Sequence, residues 1–100
     1  MVLRVEEADD VPDRLPLCGA VIIGDRSHPK WLAFDCPCGE GHREMLNLDG
    51  RRRPAWRVDC LRPLTITPSV DDVTSDRRCH FFIRKGRIRW ARPNDERRYQ

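Results

Sequence analysis

Apolar positions in this chain come in short bursts, and glycine, proline or charged residues interrupt each one. Residues 17–23 (LCGAVII) read as a strand that stops at Gly24-Asp25. Residues 31–34 read as a second strand running straight into a cysteine turn. Residues 44–48 (EMLNL) alternate and end at Asp49-Gly50, a hairpin-type turn. Residues 56–60 and 64–67 are further short strands, broken by Pro63 and Pro68. The spread of prolines argues against long helices. One helical turn is expected, at residues 69–73, where Ser69 followed by Asp71 and Asp72 has the form of an N-cap with acids in the first turn.

The clearest element is C-terminal. Residues 79–84 and 87–91 fit two strands joined by the two-residue turn Lys85-Gly86. That register pairs Ile83 with Ile88 and Phe81 with Trp90. Side chains alternate across a strand, so Cys79, Phe81, Ile83, Ile88 and Trp90 share one face, assigned to the core. His80, Phe82, Arg84, Arg87 and Arg89 share the other. The expected fold is a mainly β, small single domain of about six or seven short, mostly antiparallel strands with a C-terminal hairpin. Residues 1–16 form an acidic N-terminal segment, 17–91 the β domain and 92–100 a charged tail.

Composition sharpens this picture. With 39% hydrophobic and 35% charged residues the core is thin, and a metal staple would help it. No apolar run approaches the roughly 20 residues of a membrane helix. The N-terminus lacks the basic head and apolar run of a signal peptide, so a cytoplasmic location is expected. There, five cysteines are ligands or thiols rather than disulfides, and the odd number agrees. The net charge is only +3, but it is unevenly spread. Glu6, Glu7, Asp9, Asp10 and Asp13 cluster at one end. Arg51, Arg52, Arg53 and Arg57 form a basic group, and Arg84, Lys85, Arg87, Arg89 and Arg92 another. Such a face suits an acidic protein or nucleic acid. The acidic segment and small net charge disfavour nucleic acid, and nothing suggests a membrane.

Cys36-Pro37-Cys38-Gly39 offers two thiols on one turn. Tetrahedral zinc commonly takes one close pair plus ligands from a distant segment. This Cys-x-Cys is tighter than the common two-residue spacing, and Gly39 and Gly41 allow the sharp turn it needs. Cys79 is the best third ligand. The fourth is open among His42, Cys60, Cys18 and His80. A water there would make an open, catalytic site, with Glu40 as general base. As buried thiols these cysteines would pack like small hydrophobes. Cys18 fits that description, whereas two thiols beside a proline and glycines make poor core.

Ser69 lies just after a strand and beside Pro68. A serine nucleophile needs a base within hydrogen-bond reach and donors for the oxyanion. His80 is the natural base, because strand alternation points it away from Cys79. The orienting acid is open among Asp71, Asp72, Glu40 and Asp35. The competing readings are an N-cap role for Ser69 and a structural role for His80. His28, in Ser27-His28-Pro29-Lys30, reads as an exposed turn residue.

The order Phe34-Asp35-Cys36-Pro37-Cys38-Gly39, then Trp56, then Leu64-Thr65-Ile66-Thr67-Pro68-Ser69-Val70, then Cys79-His80-Phe81-Phe82-Ile83-Arg84-Lys85-Gly86-Arg87-Ile88-Arg89-Trp90, resembles a small bacterial domain-of-unknown-function family. The resemblance covers residues 17–91. That family is found in ubiquitin-like conjugation operons and looks like a zinc-containing, serine-type peptidase. The resemblance implies Cys36, Cys38 and Cys79 as metal ligands, Ser69 as nucleophile and His80 as its partner. It implies as partners a ubiquitin-like protein and its activating and conjugating enzymes. If the chain is such a peptidase, Arg84, Arg87 and Arg89 on the basic hairpin would recognise the modifier or its tail. In some relatives residues separate the last cysteine and histidine, which are adjacent here; His42 completes the metal set as a fit to the turn rather than by resemblance. The alternative function is a non-catalytic, zinc-stabilised interaction module of the same pathway.

Overall fold

The computed structural model describes residues 2–5, 19–74 and 77–92, which contain nine strands and no helix. The chain divides into two compact units, Met1–Arg57 and Val58–Gln100. Most of the acidic segment and the C-terminal tail, and Leu17 and Cys18, lie outside the described residues.

The first unit holds a four-stranded sheet in the order β1-β2-β3-β4, made of Val2–Val5, Ala20–Gly24, Pro29–Asp35 and Arg43–Asn47. β1 runs parallel to β2, and the other pairs are antiparallel. Every residue of β2 is buried, which is why that stretch reads as a continuous apolar run rather than an alternating one. Val21, Ile23 and Ala33 form a core cluster, with Val5 and Trp31 packed against it. Full burial of a side chain such as Val21 or Ile23 contributes about 1.5–3 kcal/mol. Beyond β4 the chain turns on Asn47, whose amide donates to the carbonyls of Asp49, Arg52 and Pro54. Asp49 in turn accepts from the Arg51 side chain and amide, and these bonds hold its carboxyl at about 2.

The second unit contains the pair β5-β6 (Arg57–Leu61 and Leu64–Thr67, with Arg57 at the boundary) and the sheet β7-β8-β9 (Val70–Val73, Arg78–Arg84 and Arg87–Trp90). The β8-β9 hairpin has the expected register, Phe81 with Trp90 and Ile83 with Ile88. Lys85 and Gly86 both have positive φ, 52° and 73°, the pattern of a type I′ turn. The Lys85 amide donates to Thr65 Oγ1 and the Gly86 amide to the Leu64 carbonyl, tying the hairpin tip to β6.

Three expectations are corrected. Residues 69–73 are not a helical turn, because Val70–Val73 form β7 and pair with β8. Val70 is 1% exposed opposite Phe81, and this burial plus the ladder outweighs the local N-cap signal. Ile88 and Trp90 were expected in the core, yet each is at least 40% exposed. Both lie on β9, the last strand in its sheet, where Trp90 meets Phe81 edge-on and leaves much of its ring outside. Phe82, on the opposite face of β8 from Phe81, is buried as well. The strand count exceeds six or seven because β1 and β7 carry no strong local signal. No helix among the described residues is long and apolar enough to cross a membrane.

Candidate functional site

The first unit builds a cysteine–histidine turn between β3 and β4. The Cys36 amide donates to the His42 carbonyl at 2.9 Å and the Gly39 amide to the Cys36 carbonyl at 3.3 Å, so the loop closes on itself. Gly39 and Gly41 have φ of 80° and 86°, the left-handed region that the tight Cys-x-Cys spacing requires. The ligand atoms of Cys36, Cys38 and His42 lie within 4.8 Å of one another. Cys38 Sγ is 3.5 Å from His42 Nδ1 and accepts the Glu40 amide at 3.5 Å. A tetrahedral zinc, about 2.3 Å from sulfur and about 2.0 Å from nitrogen, would set those two atoms about 3.5 Å apart, so the donor set fits such an ion.

Glu44 completes this turn and was not anticipated. His42 Nε2 lies 3.1 Å from Glu44 Oε1, and Glu44 is only 7% exposed. A histidine ligand typically gives its second ring nitrogen to a carboxylate or carbonyl, which fixes the tautomer. The available signal was the spacing: residues two apart on a strand share a face, and His42 immediately precedes β4.

The second unit builds a different arrangement. Ser69 directly precedes β7, and its Oγ lies 3.0 Å from His80 Nε2 on β8. Both residues are half-buried. Asp71 sits opposite His80 in the ladder. Its carboxylate accepts from Arg78 Nε at 3.0 Å and Nη2 at 2.9 Å. Those bonds hold Asp71 below the usual carboxylate range, and the neighbouring charge of His80 adds to the effect. Of the other acids considered, Asp72 pairs with Cys79, while Asp35 and Glu40 are exposed residues of the first unit. Cys79 is buried on β8 and Cys60 exposed on β5.

Next to His80 on the same face lies Phe82, whose ring stacks with the imidazole at 6.0 Å. The guanidinium carbons of Arg89 and Arg84 lie 4.4 Å and 5.0 Å from the Phe82 centroid. Arg87 pairs with Arg84 across the hairpin. Asp25, Ser27 and His28 also meet, but in an exposed turn where the Ser27 hydroxyl donates to Asp25 at 2.8 Å. That is a turn-stabilising contact between near neighbours in sequence.

A sequence model of the bacterial ubiquitination-like system serine protease family (BubE) matches residues 7–91. The chain belongs to this family. Among curated proteins and among solved structures there is no significant match. The family description names a serine protease, and the BubE match takes in both Ser69 and every cysteine and histidine of the chain.

Proposed function

We propose that this chain is a serine peptidase that processes or deconjugates a bacterial ubiquitin-like protein, with Ser69 as nucleophile and His80 as its base. The observation that carries the reading is the 3.0 Å separation of Ser69 Oγ and His80 Nε2. As Oγ attacks the substrate carbonyl, Nε2 takes its proton and returns it to the leaving amine; a water activated by the same nitrogen then releases the acyl group. Asp71, fixed by Arg78, places a negative charge beside the imidazole and favours its protonated form during transfer. Arg84, Arg87 and Arg89 bind the substrate protein. Its partners are the ubiquitin-like protein and the enzymes that activate and conjugate it.

In this reading Cys36, Cys38, His42 and Cys79 would hold a zinc ion. Support comes from the donor chemistry of the Cys36–His42 turn and from the burial of Cys79, which strand alternation points away from His80. Four protein ligands make a closed site, so the ion when bound supplies a structural crosslink. Glu44 holds His42 with Nδ1 directed toward Cys38.

The test is the intact mass of a ubiquitin-like precursor and of its conjugate, taken from the same operon, after incubation with the wild-type chain or Ser69→Ala. Cleavage by the wild type alone is expected. A stable complex without cleavage by either form would instead favour the interaction module.

A further inference from the structure

We propose that Arg84 and Arg89, braced on Phe82, form a subsite for a substrate carboxylate about two residues from the bond that Ser69 attacks. The subsite rests on the peptidase reading and adds a substrate chemistry to it. Strand alternation puts His80, Phe82 and Arg84 on one face of β8, and the hairpin register puts Arg89 across from Phe82 and Arg87 across from Arg84. The Phe82 ring is 5% exposed, so its position is fixed by packing, and both guanidinium groups lie within 5.0 Å of its centroid. Stacking on an aromatic ring holds each planar fork in place before any ligand arrives.

Three arginines on neighbouring positions of one sheet face repel one another. Neither Arg84 nor Arg87 has an ion-pair partner among the described residues. A planar carboxylate matches the guanidinium fork of an arginine such as Arg84 with two parallel hydrogen bonds. Location assigns it to the substrate. The Phe82 and His80 rings are 6.0 Å apart, and an extended peptide advances about 3.3 Å per residue, so a chain lying over His80 brings its residue about two positions away to the arginines. The carboxylate is either an acidic side chain or the free end of a short C-terminal tail.

The test uses the rate at which a fluorophosphonate probe labels Ser69 in the full chain, and the protection given by three blocked peptides. One is neutral and amidated, one carries a single Glu, and one is neutral with a free C-terminal carboxylate. At least one carboxylate peptide should protect at about tenfold lower concentration than the neutral amide. Which one does so names the source. That ratio should fall to about one in the double variant Arg84→Gln, Arg89→Gln. Arg84→Gln alone, at an exposed position, should lower the ratio by about threefold and keeps the test readable if the double variant does not fold. Equal protection by all three peptides, or a ratio unchanged in the variants, overturns the subsite. So does tight, salt-sensitive binding of a single-stranded oligonucleotide that both variants lose while the peptide ratio stays put. Absence of Ser69 labelling in the wild type fails the peptidase reading itself, a distinguishable result that takes the subsite with it.

Discussion

The cysteine turn and the serine–histidine face are assembled in opposite ways. The turn is local: Cys36, Cys38, His42 and Glu44 fall within one loop and the start of the next strand, and backbone bonds inside that loop set their spacing. The serine–histidine face depends on register: Ser69 and His80 meet because β7 pairs with β8 in one alignment, Val70 with Phe81. The turn's own spacing survives small changes in distant packing and is sensitive to the residues of the loop itself. A register-built site is sensitive to the sheet, since a slip of one residue would send His80 to the opposite face.

The comparison is tested hardest by Ser69→Ala. Cleavage of a ubiquitin-like substrate should fall by at least about 10³-fold, measured by single-turnover intact mass, while bound metal by elemental analysis stays at the wild-type level. A parallel loss of metal would break the separation of the two sites. Next in size is metal removal. Stripping the chain with a strong chelator, or Cys38→Ser, should cost several kcal/mol of stability in a denaturant titration, as expected for a structural site in so small a core. An unchanged midpoint would mean that the turn holds without an ion.

Glu44 sharpens the local half. Glu44→Ala should weaken metal retention by about 10–100-fold in a chelator competition, whereas Glu44→Gln keeps an acceptor for His42 Nε2 and should recover most of it. A cobalt-substituted sample gives the matching spectroscopic check on the His42 ligand. Asp71→Asn sharpens the other half. It should lower kcat by about tenfold with KM little changed, because it removes a charge beside the imidazole rather than a substrate contact.

How far the sequence could be read follows the same division. β6 and the β8-β9 hairpin were legible because Pro63, Pro68 and Lys85-Gly86 punctuate them locally. The cysteine turn was legible for the same reason. β7 was not: Ser69, Asp71 and Asp72 give a convincing N-cap, and only the distant ladder with β8 overrides it. The exposure of Ile88 and Trp90 was hidden too, because alternation assigns a face but does not say which strand ends a sheet. Glu44 was invisible as a buried acid, since its partner, His42, is what makes burial tolerable.

The smallest effect expected lies away from both sites, at the Asn47 turn. Asp49 titrates at about 2 in the folded chain, below its ordinary value near 4. A depressed carboxyl contributes stability that is complete above the ordinary value and is lost as pH falls toward 2. Asp49→Asn should therefore be slightly less stable than wild type at pH 7, with the gap closing between about pH 4 and 2 in thermal melts. Cleavage and metal content should not change.

The central claim is that Ser69 is a nucleophile activated by His80. Its most direct measurement is the mass of the fluorophosphonate adduct, mapped to its residue, on the wild type and on His80→Ala. The account predicts one adduct, on Ser69, formed at least about 100-fold more slowly in His80→Ala while metal content is retained. An adduct forming equally fast without His80, or none on Ser69 in the wild type, would contradict it.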